Sequence, residues 1–400
     1  MNIHEYQAKK ILKEYGIAIP NGKIAYTPTE AKKVALEISS RGPWMLKSQI
    51  QAGSRADGYF IGHSAGNKGG IRQVNQLSNI SYEATQMLNN TLVTNQTSST
   101  GKLVSKIYIE EFKNVKKSFY AGMIIDSSIS AITLLISEII NKNIVELATS
   151  NYNKILKINL EYGKNFSSED ILRILDFLSL DKSYLDEFMQ FFNKIHKTFV
   201  NLDAQMIEVN PVGITEEKKL MALDAKINFD KNALFRHQEI TQLRDEYEED
   251  DRYMKAQKYG FQYNEFDGNI GCIVNGEGLA LEAMDIIKEK GGSTACFLNV
   301  KGGVDKDKIS AGIKIIMTNP RVEGIIINIL GGFLRCNLIA DGILAATQEV
   351  GLNMPMVMRI EGTNKKEAID ILTQSNLPII FEKDTNSAID TLLTQMEVND

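Results

Sequence analysis

The chain has 400 residues, 43% hydrophobic and 24% charged, with a formal charge of -5. That length accommodates two or three domains with ordinary globular cores. The mild acidity excludes a broad basic nucleic-acid surface, and no apolar run approaches the ~18 residues of a membrane span. Cys272, Cys296 and Cys336 are too few and too scattered for a disulfide framework, which points to reduced thiols. The start, Met1-Asn2-Ile3-His4-Glu5-Tyr6, has neither secretory nor Arg-rich transit character. The expected location is cytoplasmic, or the mitochondrial matrix if a leader has been removed.

Residues 3–15 are predicted to form an amphipathic helix, and 29–40 another with Thr29 as its cap. Short strands are predicted at 23–26 and 44–47. Lys47 ends the second, just before Ala52-Gly53-Ser54-Arg55 and a glycine-rich stretch to Gly70. A point charge facing a loop of close-approaching backbone suits phosphate, while a solvent-exposed strand-end lysine is the plainer alternative. Residues 104–111 and 119–137 read as strands, with Glu110 and Glu111 placed to accept from a ribose or base amine. Residues 168–200 read as helix, with Phe188, Phe191, Phe192 and Ile195 at core spacing.

Residues 206–212 and 221–226 then alternate as two strands joined by a polar turn. Period two puts Glu208 and Asn210 on one face of the first, Asp224 and Lys226 on one face of the second. Pairing brings Asn210 and Asp224 together as two hard oxygen ligands, the number by which proteins often hold Mg²⁺. A hairpin with one wet face explains the same alternation.

An acidic stretch, 239–259, reads as a solvated connector and a boundary. Beyond it, apolar runs at 270–274, 295–300, 324–330, 355–359 and 378–381 are each followed by turn residues and a helix-length segment. Five such βα units predict a parallel sheet covered on both faces, with ligands at the carboxyl ends of its strands. Val274-Asn275-Gly276-Glu277-Gly278 follows the first strand, and Gly331-Gly332-Phe333-Leu334 the third. Glycines there permit either a tight corner or amides aimed at an anion.

Several stretches, taken together, are similar to the β subunit of succinyl-CoA synthetase. They are Asn2-Ile3-His4-Glu5-Tyr6-Gln7-Ala8-Lys9, Ile207-Glu208-Val209-Asn210-Pro211, Leu223-Asp224-Ala225-Lys226, Asn232-Ala233-Leu234-Phe235-Arg236, Gly268-Asn269-Ile270-Gly271-Cys272, and Arg359-Ile360-Glu361-Gly362-Thr363-Asn364. The resemblance runs nearly end to end, in order. It implies an α/β protein: an ATP-grasp nucleotide-binding module over 1–245, followed by a flavodoxin-like parallel-sheet ligase domain over 246–400. It also implies a partner α subunit, in an αβ or α₂β₂ assembly, that carries a phosphorylated histidine and binds most of the CoA.

By the same resemblance Asn210 and Asp224 hold Mg²⁺. Lys47, Ser54, Arg55, Ala56 and Glu110 contact ATP/ADP or GTP/GDP. Glu208 orients the partner's histidine, and Asn275, Gly332, Phe333 and Leu334 meet substrate. The implied chemistry passes a phosphoryl group from nucleotide to histidine to succinate, after which CoA displaces phosphate; malate–CoA ligase β subunits share these motifs. Departures cluster in the first module. In the second module Asn299 and Lys301 replace an acidic residue and a glycine; in the first, Ser54 and Ala56 replace glycines, an insertion spans roughly 57–64, and a carboxylate expected near Ser118 is absent. They lead to an expectation of weakened nucleotide binding, with a purely structural β subunit as the extreme case. His63, inside the insertion, resembles the α-subunit histidine loop only superficially.

Overall fold

The computed structural model describes residues 1–62, 68–140, 154–161, 163–300, 302–303, 305–331 and 334–399. The chain divides into two compact units, Met1–Glu248 and Glu249–Asp400.

The first unit opens with α1 (Glu5–Glu14), where the His4 amide donates to the Gln7 side chain at 2.9 Å. α2 (Pro28–Ile38) starts with proline in its first turn, and the Thr27 hydroxyl accepts from the Glu30 amide at 3.1 Å. Thr27, not Thr29, is therefore the cap: proline has no amide to satisfy, so the helix begins one residue after Thr27. An antiparallel sheet runs in the order β1 (Gly22–Ala25), β7 (Ile107–Glu111), β2 (Trp44–Ser48), β4 (Ile71–Val74). α2 and α3 (Leu77–Met87) join it around Trp44, Leu46, Ile80 and Met87.

A small antiparallel sheet combines β3 (Tyr59–Ile61), β5 (Thr91–Val93) and β6 (Lys102–Leu103). β3 lies inside the predicted insertion, which is thus partly strand. The chain leaves the loop at Arg55 and returns beside it, since the Gly70 amide donates to the Arg55 carbonyl at 2.7 Å.

The largest sheet of this unit runs β10 (Leu156–Leu160), β9 (Ala131–Ser137), β8 (Lys117–Asp126), β11 (Ala204–Ile214), β12 (Leu220–Ala222), with β13 (Ala225–Phe229) also on β11. The predicted strand 119–137 is two antiparallel strands, because turn residues 127–130 reverse the chain. The predicted helix 168–200 is two helices, α4 (Ser168–Phe177) and α5 (Leu185–Asn201), separated where Ser179 takes a left-handed φ of 52°. Phe188, Phe191, Phe192 and Ile195 of α5 pack with Phe119, Val212 and Ile214 of the sheet. α6 (Gln238–Thr241) follows.

The acidic connector is not a free linker. Asp245 bonds His4 and Lys106, and Glu248 lies 3.7 Å from Lys102 while accepting from the Gln51 amide. Burial against basic neighbours outweighs the like-charge repulsion that made the stretch look solvated.

The second unit opens with α7 (Asp251–Lys258) and antiparallel edge strand β14 (Gln262–Glu265). Five parallel strands follow, β15 (Ile270–Val274), β16 (Thr294–Asn299), β17 (Gly324–Leu330), β18 (Met356–Glu361) and β19 (Ile379–Phe381). Their order, β16-β15-β17-β18-β19, is the flavodoxin-like 2-1-3-4-5 arrangement. Alternate residues feed two cores. Ile325, Ile327 and Ile329 join α9 (Lys306–Met317), α10 (Cys336–Val350) and α11 (Lys365–Gln374). Ile326 faces the other core with α8 (Glu277–Glu289) and α12 (Thr385–Asn399).

Candidate active site

The predicted hairpin forms with a break at its most polar point. β12 pairs with the end of β11 and β13 with its start, so Leu223 and Asp224 stand between two strands rather than within one. The Asp224 carbonyl still accepts from the Asn210 amide at 3.3 Å, and Glu208 lies directly across from Lys226. The break frees the Leu223 carbonyl from the ladder. It accepts instead from Lys9 Nζ at 2.6 Å and Lys47 Nζ at 2.7 Å.

Those lysines belong to a buried cluster of three cations and three carboxylates. Lys47 Nζ lies 2.6 Å from Glu110 Oε1 and 2.8 Å from Glu5 Oε1. Lys9 Nζ lies 2.5 Å from Glu110 Oε2 and 3.0 Å from Glu5 Oε1. Arg55 Nη2 sits 2.7 Å from both Glu5 Oε2 and Asp224 Oδ2, and its Nη1 donates to the Ser48 carbonyl at 2.9 Å. Isolated charges would be expelled from such a site; matched ones persist.

The balance shows in the ionisation of each group. Burial would strip the proton from Lys47, but Glu110 and Glu5 outweigh it and hold the ammonium above its usual range. Burial also opposes Arg55, which Asp224 and Glu5 keep firmly protonated. Glu5 stays ionised well below the usual carboxylate range, against burial, because Lys47, Lys9 and Arg55 surround it. Asp224 is raised by burial, with Arg55 pulling the other way. Glu208 is raised as well: burial leads, Lys226 opposes, and Asn210 donates a side-chain hydrogen bond to it.

Glu208, Asn210 and Asp224 open onto one cavity of ≈ 140 Å³ together with Ser54, Arg55, Ala56, Glu5, Gln96 and Lys226. Ligand pockets for whole cofactors run from roughly 300 Å³ upward, so this cavity has room for an ion and phosphate oxygens rather than a complete nucleotide. Its donors, two carboxylates and an amide, suit a hard divalent cation. Among the described residues no three His, Cys, Asp or Glu side chains form a metal cluster by themselves. Water and phosphate would complete the shell of an ion held at Asn210 and Asp224. A wider groove of ≈ 780 Å³ is lined by Tyr6, Lys10, Lys13, Lys23, Lys33 and Tyr108. Tyr108 also stacks on Lys9 Nζ at 5.4 Å, so the buried cluster adjoins both spaces.

The structure thus gathers Lys47, Ser54, Arg55, Ala56, Glu110, Glu208, Asn210 and Asp224 into one region of the first unit. Glu5 and Lys9 belong there too. Their sequence does not show it, because a carboxylate and a lysine four apart on an amphipathic helix look like its wet face. Ser54 sits at φ 54°, the left-handed region where glycine is at ease, and a Cβ on Gly69 would meet the Ala56 carbonyl at 1.9 Å.

In the second unit, the Asn275 side chain donates to the Leu330 carbonyl and accepts from the Leu330 amide, both at 2.8 Å, clamping the end of β17. The Asn299 side chain accepts from the Gly276 amide at 2.8 Å, ordering the turn before α8. Leu334 is buried in the core beside α10. Gly332, Phe333, Lys301 and His63 lie outside the described residues.

A family model described as an ATP-grasp domain matches residues 2–214, and one described as CoA-ligase matches residues 273–392. The chain is 42% identical, over 95% of both sequences, to the succinate–CoA ligase (ADP-forming) subunit beta of Rhodospirillum rubrum. It is 43% identical at the same coverage to the protein of that name from Acidiphilium cryptum. Among solved structures, ATP citrate lyase from Methanothrix soehngenii, in complex with citrate and coenzyme A, aligns over 98% of this chain and 99% of that one. The TM-score is 0.67 at 13% identity, a likeness of fold.

Proposed function

Because the chain belongs to the family of succinate–CoA ligase β subunits, we propose that it uses ATP to phosphorylate a histidine of an α subunit, and that the pair then forms succinyl phosphate and succinyl-CoA. The relatives' names favour adenine over guanine nucleotide, succinate over malate, and turnover over a purely structural role. Three buried free cysteines accord with a reducing, cytoplasmic setting. Among the described residues no helix is long and apolar enough to cross a membrane.

One observation carries the reading: Glu208, Asn210 and Asp224 share a cavity with the Ser54-Arg55-Ala56 loop and with Glu5, the partner of the buried Lys47. The nucleotide's phosphates enter this cavity and its nucleoside end takes the adjoining groove with Tyr6 and Tyr108. Lys47 and Arg55 offset charge on the transferring phosphoryl group from fixed positions, without waiting for water to reorganise. Asn210 and Asp224 hold Mg²⁺, which when bound draws charge from phosphate oxygens. Glu208 accepts the N–H of one imidazole nitrogen of the partner's histidine, leaving the other nitrogen's lone pair to face the phosphorus. Asn275, Gly332, Phe333 and the backbone of Leu334, whose side chain is in the core, meet the acid substrate and phosphohistidine in the second unit. CoA is held mainly by the α subunit.

Calorimetric titration of MgADP into the αβ complex tests this. Asp224→Asn keeps the side chain's shape and removes one charge, so affinity is expected to fall about tenfold or more. Wild-type affinity in the variant would reject the assignment.

A further inference from the structure

α1 brings into the site a carboxylate that the reaction above leaves without a task. The Glu5 side chain is only 2% exposed, and each of its oxygens faces a different phosphate-binding cation. Oε1 lies 2.8 Å from Lys47 Nζ, and Oε2 lies 2.7 Å from Arg55 Nη2. Among the described residues no other carboxylate spans the two: Glu110 reaches Lys47 and Lys9, and Asp224 pairs with Arg55. Glu5 is itself held from behind by Lys9, one helical turn along α1.

Glu5 also borders the cavity. A carboxylate beside a phosphate site opposes ground-state binding of an anion. What it offers in return is orientation. Lys47 and Arg55 carry long, flexible side chains that Glu110 and Asp224 hold separately, and Glu5 is the counter-ion that ties one to the other before any phosphate arrives.

Resting on the function proposed above, we propose that Glu5 is a positioning residue, the common anchor that sets Lys47 and Arg55 relative to one another for phosphoryl transfer. Its signature is a split between rate and affinity. In the αβ complex, Glu5→Gln is expected to slow phosphohistidine formation from MgATP about 100-fold, the scale of an ångström's misplacement. MgADP affinity should hold or tighten, within about threefold, because one negative charge has left the cavity. Glu5→Asp, which keeps the charge but withdraws it by one methylene, should also slow transfer by about tenfold or more, and serves if the glutamine variant does not fold. A wild-type rate in either folded variant overturns the proposal. So does a loss of rate, affinity and melting temperature together, which marks a merely structural role. If the wild-type complex forms no phosphohistidine, the functional reading fails first and takes this proposal with it.

Discussion

Asp224 and Ser54 show how much one residue can be asked to do. Asp224 sits in a break between strands, paired with Arg55, and any divalent ion must share its carboxylate with that guanidinium. Ser54 occupies a left-handed backbone position without being glycine. Ser54→Gly should remove the Cβ that limits backbone approach and tighten MgADP binding by about threefold in calorimetry, whereas weaker binding would show the serine contributes a contact of its own. His4 sets a pH limit. It is 1% exposed, and its ring nitrogen Nε2 is 2.8 Å from Asp245. Burial lowers its pKa to about 4; Asp245 opposes, while Lys106 and Arg55 add to the lowering. The unfolded chain takes up the proton first, near 6.5, so stability is lost as pH falls from there to about 4. The loss amounts to about 3 kcal/mol, and Asp245, whose pKa Lys106 and His4 lower against burial, adds its own only below that window. Melting temperatures across that window should fall more steeply for wild type than for His4→Gln, and parallel curves would contradict the assignment.

At the scale of elements, one cap separates pattern from structure. Thr27→Ala should cost about 1 kcal/mol in chemical denaturation and Thr29→Ala almost nothing, and the reverse order would restore the boundary suggested by sequence. Strands such as Gly324–Leu330 were legible because burial on both faces demands continuous apolar residues. The aromatic stripe of α5 was legible by its period, though the turn separating α4 from α5 was not, since Leu178 and Leu180 keep the stripe apolar. β3 and β14 were missed because their pairing comes from neighbours: Gln262–Glu265 is polar and gains strand geometry only at the edge of β16. In the candidate site, Glu208, Asn210 and Asp224 were readable from alternation and resemblance. The break at Leu223 was not, because the partners that satisfy its carbonyl outside the ladder are a pair of lysines from α1 and β2, distant in sequence.

For the whole molecule, the two units have separate sheets and separate cores, so they should keep separate stabilities. Residues 249–400 expressed alone should melt cooperatively, with native-like circular dichroism; a molten fragment would contradict independent cores. The proposed roles fall in both units, with phosphate, metal and histidine-orienting residues in the first, and Asn275, Gly332 and Phe333 in the second. Above all, this chain is proposed to drive phosphoryl transfer onto a partner's histidine. The direct measurement is acid-labile ³²P on the α subunit after mixing purified complex with Mg²⁺ and γ-labelled ATP, for wild type and for Asp224→Ala. Labelling is expected for wild type, and at least about 100-fold less for an Asp224→Ala complex that still assembles. Equal labelling by the variant, or none by wild type, would contradict it.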